Sequence, residues 1–311
     1  MTDVPAARAT IEVLRPDDVP RLRLESGVAI APSEARALLT DYPNRSVWVP
    51  ATLEFALLAP WRRRPEIAHV QTLSAVGNAE ALLQAAAARS QLEGDDLFLL
   101  IDVNESRRPV FYDRAGLDPL EDVITYDLDP ARRRDLPSGR LRFRFADPAD
   151  AFDLAALARI DHDAFPWLWR NSADEFRAYA ATPGVELLLG FDDDRPVSYA
   201  GLTRYPGWGH LDRIAVLRGQ QGLGLGRETL AFSVERMARG GARRIGLSTQ
   251  RDNRRSQRLY ERFGFRRSPG YDYRLYGAYF RPGAAFAAEP SRADAASHSN
   301  LVSGAHGAAE D

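Results

Sequence analysis

The chain contains no cysteine and no lysine: all 41 of its Lys+Arg positions are arginine. The first absence removes disulfides, thiol nucleophiles and cysteine–zinc sites. The second removes the residue that a Walker phosphate loop requires. Histidine occurs five times, yet no His-x3–5-His pair or carboxylate pair has metal-ligand spacing, and no Gly-x-Ser-x-Gly elbow marks a serine hydrolase, so no metal is expected. An excess of either charge is lacking too. With 41 Lys+Arg against 43 Asp+Glu there is no electrostatic case for nucleic acid or an anionic membrane surface. Apolar runs such as Leu97–Ile101 and Leu187–Phe191 are far too short to span a bilayer, and the first eight residues carry no apolar signal core. A soluble, cytoplasmic protein is therefore expected. Nothing in the sequence fixes an oligomeric state.

What is present centres on Arg213–Gly226, a β-branched strand running into a glycine loop that opens a helix. Such a loop suits phosphate, because glycines let the backbone approach an anion while the first helical turn offers unpaired N–H groups. Residue identity separates the candidate loops. Gly226 is followed by Arg227 and Glu228 rather than Lys-Ser/Thr, and a dinucleotide fingerprint built on Gly222 and Gly224 would need glycine where Arg227 stands.

The pattern that fits is Gln221-x-x-Gly224-x-Gly226, five residues after Val216, followed by Asn253-x-x-Ser256-x-x-Leu259-Tyr260 and then Gly264-Phe265. Between them the sequence predicts a helix over 227–239, a stop at Gly240-Gly241 and a strand over 244–250. Together these resemble the two signature segments of the GCN5-related N-acetyltransferase (GNAT) family, with Arg218 standing where that family usually has proline.

Comparing the chain with itself at an offset of 148 residues, which lays Tyr112 on Tyr260, reveals a second copy. Phe111–Leu117 falls on Leu259–Phe265, the predicted strand Leu97–Val103 on 245–251, and the predicted helix 78–89 on 226–237, without a gap. The expected fold class is α/β: two tandem GNAT-like domains, each a mixed, largely antiparallel sheet flanked by helices. Their expected spans are 1–135 and 136–280, joined by the polar linker Asp129–Gly139 and followed by a disordered tail over 281–311. At this offset Gly222, Gly224 and Gly226 meet Ser74, Val76 and Asn78, and Asn253 meets Glu105. The first copy is thus expected to be non-catalytic, with Tyr112 a structural tyrosine.

The resemblance implies acetyl-CoA as co-substrate, held by Ile214, Ala215, Val216, Gln221, Gly222, Leu223, Gly224, Leu225, Gly226, Arg227 and Asn253, with Tyr260 at the general-acid position. Backbone N–H around Val216 would polarise the thioester carbonyl. The acceptor would be a primary amine, on a small molecule or a protein N-terminus. Without cysteine the transfer is expected to be direct. Where some family members place a glutamate base, Ser248 stands. His210 and Asp212, sharing one strand face by alternation, are the candidate proton carriers, and amines of low pKa are expected to be preferred. Acceptor contacts are expected from Asp161, Asp163, Phe165 and Trp167, which mix carboxylates with aromatics as an ammonium site would. Ser172–Glu175 reads as a capping box. The competing function is an inactive acyl-CoA-binding sensor or scaffold.

Overall fold

The computed structural model describes residues 10–22, 24, 30–132 and 139–281. Most of the expected tail and residues 133–138 of the expected linker lie outside the described residues. The first copy comprises β1 (Glu12–Val13), α1 (Pro32–Asp41), β2 (Val47–Val49), β3 (Glu54–Pro60), β4 (Ile67–Ser74), α2 (Ala79–Leu92), β5 (Leu97–Val103), α3 (Pro109–Arg114) and β6 (Asp118–Leu128). The second comprises β7 (Arg142–Phe145), α4 (Ala151–Ala164), α5 (Ala173–Ala180), β8 (Val185–Asp192), β9 (Arg195–Tyr205), β10 (Trp208–Val216), α6 (Leu225–Arg239), β11 (Arg244–Gln250), α7 (Arg254–Phe263), β12 (Arg266–Arg267) and β13 (Tyr273–Tyr279).

Helix α6 forms where the sequence stops it at both ends. Gly224 enters with φ +87° as its N-cap, and Gly241 leaves at φ +91°. Leu230, Val234 and Met237, spaced four and three apart, line one face and are fully buried against Leu202, Leu211, Ile245 and Leu247. Each such side chain contributes about 1.5–3 kcal/mol relative to exposure. The opposite face of the second copy's sheet is covered by α4 and α5 through Leu157, Ile160 and Phe176. Ser172 caps α5 as its sequence suggests, accepting from the Glu175 N–H at 3.0 Å.

The two sheets expected from the repeat are one. The strand order is β1-β2-β3-β4-β5-β13-β6-β11-β10-β9-β8-β7, with β12 on β6. The copies exchange their last strands: β6 of the first pairs antiparallel with β11 of the second, while β13 of the second lies between β5 and β6. Because β13 binds main chain on both sides, neither copy completes its sheet alone.

Candidate active site

β10 and β11 run parallel only from Trp208↔Arg244 to Leu211↔Leu247. A bulge between Leu211 and Arg213 then turns β10 aside while it stays paired to β9 through Val216. The edge of β10 that faces away from β9 is left without a strand partner past Leu211, and the two strands splay. A cavity of about 960 Å³ opens there, lined by Ile214, Ala215 and Val216 on one side and Gln250 and Asn253 on the other.

The glycine loop closes one end of this cavity. Gly222 and Gly224 both have positive φ, at +94° and +87°, a backbone that L side chains rarely adopt. Gln221 holds the loop in place: its Nε2 donates to the Val216 carbonyl at 2.9 Å, and its Oε1 accepts from Arg255 of α7. Asn253 caps α7 by accepting from the Ser256 N–H at 3.1 Å. Arg227, Arg255, Arg258 and Arg262 line the same cavity, bringing cationic groups to the positive end of α6. A loop of amides at a helix N-terminus, beside an apolar slot between strands, fits a phosphorylated carrier with a long thin arm.

Of the residues expected to hold that carrier, Ile214, Ala215, Val216, Gln221, Gly222, Gly224, Gly226, Arg227 and Asn253 line the cavity. Leu225 is turned into the core under the loop, and Leu223 is 57% exposed. Tyr260 also lines the cavity although it is only 4% exposed, and burial pushes its hydroxyl up to about 12 despite a hydrogen bond with Ser256. It is therefore a neutral hydrogen-bond donor at physiological pH.

The remaining expected residues are placed differently. His210 and Asp212 share a face but stand outside the cavity lining. Asp212 is occupied by Tyr179 and Thr203, which donate to Oδ2, and by His210 Nδ1, 2.8 Å from Oδ1. Asp161, expected near the acceptor, is completely buried and ion-paired to Arg213, with Tyr199 and the Asn171 N–H as further donors. It has no open face for a ligand, because Arg213, 52 residues away in sequence, already takes its charge. Removing one partner of such a pair costs about 3–5 kcal/mol. Asp163 caps the turn after β10 by accepting from the Arg218 N–H. Phe165 does line the cavity, with the Arg213 guanidinium 4.0 Å over its ring.

Trp167 belongs to a seam between the copies. Arg64 of the first copy lies 4.3 Å over its ring, Trp61 Nε1 donates to the Leu168 carbonyl at 2.8 Å, and Arg62 Nη1 donates to Asn171 Oδ1 at 2.8 Å. The aromatic run thus serves mainly to dock the second copy on the first.

The sequence motifs do not mark two further carboxylates. Glu121 of β6, a first-copy residue, lines the second copy's cavity. Glu54 of β3 accepts from the Val76 and Gly77 N–H groups at 2.6 and 2.7 Å and from the Asn78 amide, all at the start of α2. It therefore sits on the first-copy position that corresponds to the second copy's glycine loop.

Among the described residues, no helix is long and apolar enough to cross a membrane, and no group of three or more His, Cys, Asp or Glu residues could hold a metal ion. Residues 154–265 match the acetyltransferase (GNAT) family. Three solved structures share the fold over most of the chain. A GCN5-related N-acetyltransferase from Kribbella flavida is 14% identical with TM-score 0.62, over 87% of this chain and 72% of that one. A tandem GNAT protein from the clavulanic acid biosynthesis pathway is 13% identical with TM-score 0.58, over 89% and 100%. A GCN5-related N-acetyltransferase from Sphaerobacter thermophilus is 18% identical with TM-score 0.55, over 90% and 98%. Among curated proteins none matches. Motifs, splayed strands, glycine loop and family match coincide in the second half of a tandem fold, and that half is an acyltransferase domain of the GNAT family.

Proposed function

We infer that the second copy is an acetyl-CoA-dependent N-acetyltransferase that acylates a primary amine by direct attack. The observation that carries this reading is the single cavity shared by the glycine loop, the unpaired edge of β10 and Tyr260. The loop amides and surrounding arginines would hold the pyrophosphate, and the edge of β10 near Val216 would receive the pantetheine arm and orient the thioester carbonyl. Tyr260, kept neutral by burial, would donate to the departing thiolate. A thiol of ordinary pKa near 8.5 gains from such a donor without needing a stronger acid.

The acceptor is an amine, on a small molecule or a protein N-terminus. The first copy braces the second and, with Glu54 filling its anion seat, binds no nucleotide. Calorimetry with acetyl-CoA on the full chain should give one site. Free-thiol release with a panel of amines should identify the acceptor; tight binding with no thiol release from any amine would favour a sensor instead.

A further inference from the structure

The splay, loop and tyrosine supply a donor site, while His210 and Asp212 lie outside the cavity lining and the second-copy carboxylate within it, Asp252, is exposed next to the α7 N-cap. One carboxylate does line the cavity from outside the family domain. Glu121 sits on β6, opposite Leu275 of β13, where the exchanged strands meet. Strand exchange carries it there, since β6 continues past Glu121 to pair with β11 from Val123↔Gln250 to Leu128↔Ile245.

Its carboxylate is oriented from the second copy, as the buried Trp169 indole N–H donates to Oε2. Trp169 is itself fixed, edge-on to Trp61 at 5.8 Å and with the Arg62 guanidinium 5.1 Å over its ring. Phe165 and Pro166 of the docking loop lie in the same lining. A carboxylate held beside aromatic rings in a half-buried cleft matches an arriving ammonium group.

We propose that Glu121, delivered by the first copy, is the acid–base residue that accepts the proton of the acceptor amine in the second copy's cleft. This rests on the acyl-transfer reading above. The ammonium N–H passes its proton to the Glu121 carboxylate, and the freed nitrogen lone pair forms the C–N bond at the thioester carbon. As the C–S bond breaks, Tyr260 gives its proton to the thiolate, and the second nitrogen proton passes through water to restore the tyrosine. Glu121 then releases its proton to solvent. One amide, one thiol and one proton result.

The local charges suit the role. Burial pushes the Glu121 carboxyl up to about 7; the Trp169 hydrogen bond pulls it down by less, and the nearby Asp252 adds to the rise. Tyr273 and Tyr279 of β13 also feel its charge. A base that titrates there is half ionised at neutral pH and returns its proton readily.

The test uses the full chain, wild type and Glu121→Gln, against acetyl-CoA and a panel of a peptide α-amine, a lysine ε-amine and an arylalkylamine. Glu121→Gln should bind acetyl-CoA with unchanged affinity by calorimetry, which also reports an intact site. Its kcat/KM at pH 7 should fall about 100-fold, and the rising limb near pH 7 should vanish, leaving the amine's own ionisation. A carboxylic-acid infrared band titrating around pH 7 in the wild type should be absent from Glu121→Gln. Trp169→Phe, which removes the orienting donor, should shift that limb and that band while retaining a measurable rate. An active wild type whose rate and limb survive Glu121→Gln would overturn the assignment of the base alone. A wild type that binds acetyl-CoA but acylates no amine would overturn the acyl-transfer reading and the base with it.

Discussion

The two copies solve the same local problem in opposite ways. Each has a helix whose first N–H groups need an anion, α6 in the second copy and α2 in the first. In the second, residues 217–224 form a loop with two positive-φ glycines, and those amides line an open cavity. In the first, only residues 75–78 separate β4 from α2, and the Glu54 carboxylate fills the seat. The tyrosines differ likewise. Tyr260 lines the cavity, whereas Tyr112 stacks on Tyr276 at 3.7 Å and hydrogen-bonds with Asp102. The first copy's helix start thus has its N–H groups satisfied internally, besides lacking the glycines of the second.

The sharpest way to break the contrast is to give the second copy what the first has. Gly224→Glu places a carboxylate at the N-terminus of α6 and forces a side chain into φ +87°. Acetyl-CoA affinity should fall by more than about 100-fold, since anion repulsion adds to strain of about 1–3 kcal/mol. Retained binding by calorimetry would show that the loop is not the phosphate seat.

A smaller loss should follow from Tyr260→Phe: kcat falls about 10–100-fold with little change in acetyl-CoA affinity, because the hydroxyl acts only as the thiolate forms. Single-turnover kinetics check this, and an unchanged chemical step would remove Tyr260 from the mechanism.

The smallest effect concerns the first copy. Glu54→Ala leaves the Val76, Gly77 and Asn78 N–H groups without their acceptor and should cost about 1–3 kcal/mol in denaturant unfolding. It should not create a second acetyl-CoA site, because the loop stays short; two sites by calorimetry would mean that the plug alone silences this copy. The pH dependence has a definite sign. Burial, which raises a carboxyl, is outweighed at Glu54 by hydrogen bonds from Asn78, Gly77, Thr52 and Val76, which hold it at about 2 against an ordinary 4.5. Its stabilisation is full above pH 4.5 and is lost as pH falls toward about 2, so wild type and Glu54→Ala should converge in acid.

The second copy's motifs were legible because each has a local cause: positive φ demands glycine, a helix start demands a cap, and Gln221 bonds a carbonyl only five residues back. The repeat was legible for the same reason, and α2 and β5 fall close to the spans expected from the offset. The ungapped match of Ser74 to Gly222 was misleading, since periodicity aligns helices well but does not reveal a shortened loop before them. What could not be read was non-local. The Arg213 partner of Asp161 and the Trp169 donor to Glu121 are joined only by folding, and β6 carries no mark of the sheet it enters. A charge such as Arg213 within an apolar alternation is the faint signal that a buried partner exists.

Exchanged strands also govern how the molecule comes apart. Separating the two copies would strip β11 of β6 and leave β5 without β13, exposing long hydrogen-bonding edges that invite aggregation. The two halves should therefore melt in one cooperative transition. A duplicated unit joined in this way cannot be discarded, because its strand β6 is built into its twin's sheet between β11 and β13.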